Sequence, residues 1–211
     1  MMDTGVIHDV AVLPSWMKVD ELLSFMEGIH SGFSRERAES FLSKTTIPMD
    51  KKIKSLSKGM KTQLHLAVTL ATETKLMILD EPTHGLDILF RKQLYSSVLE
   101  DYFDDEKSLL ISTHQIEEVE HILSDVIFIN KGKILLYASI DELAQRFSQL
   151  TVTADKADDL RTSLQPITEY GILGRKVFLL EGKTAEELKE YGETQTPSVA
   201  DIFVALMGGE A

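Results

Sequence analysis

The strongest constraint on the fold of this 211-residue chain is an apolar run, Leu76 to Leu79, that ends in two adjacent carboxylates, Asp80 and Glu81. An unbroken apolar run bounded by polar positions suits a buried strand, as found in parallel α/β sheets. Such sheets place ligands outside the carboxyl ends of their strands. Two carboxylates side by side repel unless a cation or a proton separates them, so at a strand end the pair suits a magnesium-holding acid followed by a general base. The chain then turns through Pro82, Thr83, His84, Gly85 and Leu86 to a further carboxylate, Asp87. Taken alone, an Asp-Glu pair is equally well a strand running into a polar turn.

Two neighbours sharpen the reading. Upstream, Ser57-Lys58-Gly59-Met60-Lys61 opens the apolar-periodic segment Leu64 to Leu70. Ser57 stands at an N-cap position, Gly59 permits close backbone approach, and a helix beginning there aims its free amides and positive dipole end outward. Lys58 and Lys61 add charge to what is then an anion seat, although a Ser-Gly helix start by itself is an ordinary cap. Downstream, Ser108 to Ser112 reads as a second buried strand, with His114 just past its end.

In this order the features resemble the nucleotide-binding subunit of ATP-binding cassette (ABC) transporters. Leu56 to Met60 is similar to the family's signature motif, Leu76 to Glu81 to its Walker B strand, His84 to Asp87 to its D-loop, and His114 to its switch histidine. The resemblance runs on through Asn130 to Ile134, a hairpin turn between two strands, and Asp141-Glu142-Leu143. Lys58 and Met60 depart from the commoner signature residues, and this Ser-Lys-Gly-Met-Lys form is similar to that of bacterial exporter-type cassettes.

A phosphate loop is missing from the sequence. That loop needs Gly-x-x-x-x-Gly-Lys-Ser/Thr between a strand and a helix, so that consecutive amides and a lysine cradle the phosphates. The nearest string, Gly182-Lys183-Thr184, has Val177 at the first glycine position and Glu181 inside the would-be nest. Thr184 and Glu187 instead form a capping box, so a turn into an ordinary helix is expected there. Hydrogen bonds to charged groups contribute roughly 1.5 to 3 kcal/mol each, so the loss of three or four forfeits on the order of 5 to 10 kcal/mol of nucleotide binding. That is several decades of affinity.

The residues before Leu56 resemble the second part of the cassette's first half. Val6 to Leu13 lies where the family has its Q-loop, with His8 or Asp9 at the position of its glutamine. Val19 to Gly28 and Arg35 to Leu42 have helical spacing and resemble the helical subdomain that leads to the signature. The chain is thus expected to begin after the cassette's first β-α unit. Beyond Phe147, segments 150–153, 158–164, 176–180 and 185–191 suggest a small α+β region. A capped C-terminal helix follows Thr196-Pro197-Ser198 and stops at Gly208-Gly209, with Ile202, Phe203, Leu206 and Met207 on its core face.

The expected fold is therefore α/β: a partial P-loop NTPase of the ABC type over residues 1–147, with a small C-terminal α+β appendage over 148–211. Within the cassette, about 15–74 form a helical and signature subdomain, and about 75–147 run from Walker B to the switch region around a parallel sheet core. At 43% hydrophobic and 27% charged the chain can bury a core, and with no cysteine it forms no disulfide or thiolate metal site. Its opening residues show no basic segment leading into an apolar one, and no run of about eighteen apolar residues occurs. A cytoplasmic chain, peripheral on the inner face of the cell membrane through a partner, is expected. A net charge of -12 disfavours a broad phosphate-backbone surface, so no nucleic-acid partner is expected.

The resemblance implies ATP and Mg2+ as cofactors, a transmembrane permease subunit as one partner, and a second cassette, identical or not, as another. It implies that Asp80 positions magnesium through water, Glu81 polarises the attacking water and His114 contacts the γ-phosphate. Ser57, Lys58 and Gly59 would clamp the γ-phosphate held by the partner cassette, and Asp87 would link the two sites. Three functions stay open: an incompletely represented exporter ATPase subunit, a non-catalytic regulatory half-cassette, and a soluble ABC-type ATPase. Without a phosphate loop the chain alone is expected to be inactive.

Overall fold

Alternating apolar and polar patterning breaks this chain into nine short strands and eight helices among the residues described by the computed structural model, which are 4–8, 12–84, 86, 88–101 and 106–208. They form two compact units, Met1–Gln115 and Ile116–Ala211. The expected division near Phe147 falls inside the second.

The first unit contains β1 (Thr4–Ile7), α1 (Val19–Ile29), α2 (Arg35–Ser43), α3 (Lys58–Leu70), β2 (Leu76–Asp80), α4 (Ile88–Asp101) and β3 (Ser108–Ser112). The strands make a parallel sheet in the order β1-β2-β3, with Ile7 opposite Leu79 and Asp80 opposite Ser112. Parallel neighbours need long crossovers, supplied here by the α1 to α3 segment and by α4. In β2, Met77 and Leu79 are fully buried while Leu76 and Ile78 are half-buried, so the apolar run is sealed on one face only.

Local sequence explains the helices. Ser34 Oγ accepts the Arg37 amide at the start of α2, and Arg35, paired with Glu39 one turn on, reaches back to Asp20 and Ser24 and ties α2 to α1. In α4, Phe90, Leu94 and Val98 recur every fourth residue, the spacing that puts them on one face, and all three are buried in the core with Leu23, Leu64 and Met77. Phe90 meets Phe41 of α2 edge to face at 6.1 Å.

In the second unit, β4 (Asp125–Asn130) and β5 (Lys133–Ser139) form the expected antiparallel hairpin. Its turn puts Lys131 and Gly132 at φ 47° and 77°, the left-handed pair that matches strand twist. A capping box from Ser139 and Glu142 starts α5 (Ile140–Arg146). After it come β6 (Phe147–Thr153), α6 (Ala157–Leu164), β7 (Thr168–Ile172), β8 (Arg175–Glu181), α7 (Ala185–Leu188), β9 (Glu193–Gln195) and α8 (Val199–Gly208). The last four strands make an antiparallel sheet in the order β7-β8-β6-β9.

Two hydrophobic clusters lie in this unit. Phe147 belongs with Phe128, Leu136 and the α8 residues Val199 and Ile202, whereas Leu150, Phe178 and Leu180 pack with Leu188 of α7. The α8 ring of Phe203 meets Phe128 edge to face at 5.2 Å, so the core face expected of this helix covers the β4-β5 hairpin. Thr184 and Glu187 form the expected capping box at the start of α7, directly after Gly182 and Lys183.

Candidate active site

All three parallel strands of the first unit point their carboxyl ends the same way, which gathers three loops at one end of the sheet. His8 leaves β1 there, Asp80 and Glu81 leave β2, and Thr113 and His114 leave β3. Asp80 lies opposite Ser112 in the parallel register, and the Ser112 hydroxyl donates to its carboxylate.

Glu81 breaks from the strand in a left-handed conformation, φ 46°, which costs an L-residue other than glycine roughly 1 to 2 kcal/mol. Three bonds hold it there. Its amide donates to the Ser112 carbonyl at 2.9 Å, its carboxylate accepts the His114 amide at 3.1 Å, and the same oxygen, Oε1, lies 2.7 Å from His114 Nδ1. The Glu81 side chain is 27% exposed against 71% for His114, so the carboxylate is the shielded member and the imidazole leans outward with Nε2 unengaged. The turn beyond is closed by His84 N donating to Glu81 O and Leu86 N to Thr83 O, both at 3.1 Å.

Asp80 supplies one exposed carboxylate beside a serine hydroxyl. Among the described residues no group of three or more Asp, Glu, His or Cys gathers as a metal cage. A single carboxylate fits Mg2+ only in the mode where waters and nucleotide phosphates complete the octahedron. Asp87, and with it the expected link to a second site, lies outside the described residues, as does Asp9; of the two Q-loop candidates only His8 is placed.

The signature segment occupies a different place. Ser57 caps α3 as expected: its hydroxyl accepts the Met60 amide at 3.2 Å and its carbonyl the Lys61 amide at 3.0 Å. The amides of Lys58 and Gly59 are left facing out of the helix end. In the last turn of α3, Thr69 lies against Gly5 of β1, while burial and the nearby His8 hold the His65 ring below the usual histidine range. From Thr69 back to Ser57 the helix rises about 18 Å. Among the described residues no hydrogen bond or ion pair joins Ser57, Lys58 or Gly59 to Asp80, Glu81 or His114.

Two contacts had no counterpart in the sequence reading. Ser112 was part of the recognised strand, but its partner is set by register across 32 residues. Arg91, in the first turn of α4, donates from Nε to the Leu86 carbonyl at 2.8 Å and from an Nη to Gln115 Oε1 at 2.9 Å. Neither has a local signal that spacing could reveal.

Residues 4–84 match the family described as ABC transporter. The chain is 26% identical over 198 residues to the ABC transporter ATP-binding protein YtrB of Bacillus subtilis, covering 90% of this chain and 68% of that one. It is 39% identical over 89 residues to the lantibiotic transport ATP-binding protein SrtF of Streptococcus pyogenes, covering 42% of this chain and 38% of the relative. A solved ATP-binding subunit of an ABC transporter shares its fold at a TM-score of 0.59 and 22% identity, over 67% of this chain and 60% of that one. The chain thus spans about two thirds of YtrB and well under half of SrtF.

Proposed function

Because residues 4–84 match the family described as ABC transporter, we propose that the chain belongs to an ATP-binding and ATP-hydrolysing subunit, incompletely represented in these 211 residues, that powers export through a separate membrane permease. The observation that carries this reading is the contact of Glu81 with His114 beside Asp80, at the end of a parallel sheet where ligands sit. Among the described residues no helix is long and apolar enough to cross a membrane, so a peripheral position on the cytoplasmic face rests on the permease.

The proposed roles are those that the resemblance implies, and the geometry supports them. Asp80, oriented by Ser112, would hold Mg2+ through water, and that ion would supply neutralisation of negative charge on the phosphates. Glu81 accepts a proton from the attacking water. His114 keeps that carboxylate aimed, and its exposed ring would contact the γ-phosphate. With Nδ1–H donated to Glu81, Nε2 donates only when the ring is protonated. Ser57 and the Lys58 and Gly59 amides offer a second anion site that serves a nucleotide on a partner cassette. Asp87 is proposed to connect the two sites.

One observation favours a second reading, a regulatory half-cassette: none of the 211 residues forms a Gly-x-x-x-x-Gly-Lys-Ser/Thr loop. The experiment is phosphate release from Mg-ATP by this chain assembled with a cassette polypeptide that carries such a loop. Glu81→Gln, which keeps the shape and removes the base, lowers turnover by about a hundred- to ten-thousand-fold if Glu81 acts as general base. Unchanged turnover assigns hydrolysis to the partner and leaves this chain the regulatory role.

A further inference from the structure

Glu81 and His114 belong to different loops, and their approach depends on something that fixes both loops at once. We propose that Arg91 is that element: a positioning residue whose guanidinium ties the turn after β2 to the segment after β3, and so holds the Glu81 carboxylate against the His114 imidazole. As a statement about catalysis this rests on the ATPase reading above; as a statement about geometry it stands without nucleotide.

The bonds close into a ring. From Glu81 the turn is braced by His84 N on Glu81 O and Leu86 N on Thr83 O, and the Thr83 side chain is buried, which anchors the turn in the core. Leu86 O receives Arg91 Nε, and an Nη of the same planar group donates to Gln115 Oε1. Gln115 is the residue after His114 and is fixed in its own turn by its amide on Thr113 Oγ1 at 3.0 Å. His114 then returns to Glu81 through both its amide and Nδ1. Arg91 starts from a rigid base, because its neighbour Phe90 is buried against Phe41.

Arginine suits this place for a specific reason. A carbonyl and an amide oxygen on two separate loops are reached by two N–H groups of one planar fork, whereas a lysine ammonium is a single point on a flexible stem.

The test uses the chain alone, without nucleotide. Ring 15N shifts of His114 identify which nitrogen carries the proton, and in the wild type Nδ1 carries it, donated to Glu81. Arg91→Met and, independently, Gln115→Ala are expected to lose that signature and to raise amide exchange at His114 by about tenfold, the equivalent of one hydrogen bond. Arg91→Lys recovers neither. The double variant goes no further than either single one, because both cut the same link. A role in fold stability alone would lower the melting temperature of Arg91→Met without moving the Nδ1 signature. Retention of the signature in Arg91→Met and in Gln115→Ala overturns the proposal, and because Gln115 lies at a loop position its variant reports even if the arginine variant unfolds. Hydrolysis measured with Glu81→Gln tests the ATPase reading separately.

Discussion

At Glu81 the backbone and the side chain make opposing demands. The left-handed φ of 46° suits glycine, yet a carboxylate stands there, held by Ser112 and His114. A residue kept in an unfavourable conformation by its neighbours marks a place where geometry serves something other than stability. Glu81→Gly relieves the strain while deleting the carboxylate, and Glu81→Gln keeps the strain. The glycine variant is therefore expected to be the more stable of the two by about 1 kcal/mol, measured as the denaturation midpoint. A glycine variant less stable than the glutamine variant would show that the side-chain contacts, not the backbone, dominate at this position.

Among the secondary-structure elements, the antiparallel sheet of the second unit offers the sharpest tests. Gly192 precedes β9, and a Cβ built there would lie 2.3 Å from the Thr151 carbonyl oxygen of β6. Backbone cannot retreat as a side chain can, so Gly192→Ala is expected to cost about 1 to 3 kcal/mol and to release the pairing of Glu193 to Gln195 with β6, read as faster amide exchange there. Across β7 and β8, Arg161 and then Lys176 hold the Glu169 carboxyl down to about 2, well below the usual carboxylate range. A carboxyl depressed by folding stabilises above its unfolded value, about 4.3, and that contribution is lost as pH falls through the folded value near 2. Glu169→Gln should therefore melt lower than wild type at neutral pH, and the gap should close between about pH 4 and pH 2. Because this cluster is solvent-exposed, added salt should shrink the gap as well. A gap that persists at pH 2 would assign it to packing rather than to charge.

For these 211 residues as a whole, the carboxylate pair and the capped start of α3 are both in place, but no segment reads as a phosphate cradle between a strand and a helix. The 211-residue chain by itself should hold Mg-ATP no tighter than about 1 mM, since roughly three or four charged hydrogen bonds are missing. Equilibrium dialysis measures this, and saturable micromolar binding would mean that other residues cradle the phosphates. Much of the architecture follows from the sequence because its causes are local. The apolar runs 76–79 and 109–111, the Ser57 cap of α3, the turn at Lys131 and Gly132, and the capping box of Thr184 and Glu187 each depend on residues a few positions apart, although β3 is not the buried strand expected, since among the described residues it pairs on one side only and Leu110 is exposed. Strands β1, β7 and β9 escaped that reading: β1 and β7 each contain a glycine, and β9 has three residues, so their pairing comes from neighbours rather than from their own patterning. What the sequence by itself determined is where the candidate residues stand: Asp80 and Glu81 at a strand end, His114 past another, Ser57 and Gly59 at a helix start. Only the tertiary structure decided that Glu81 and His114, 33 residues apart, share a bond. It also set Asp80 against Ser112, and bridged the two loops with Arg91. Those distances are set by strand register and helix packing, which act across the whole unit and leave no periodicity in the chain.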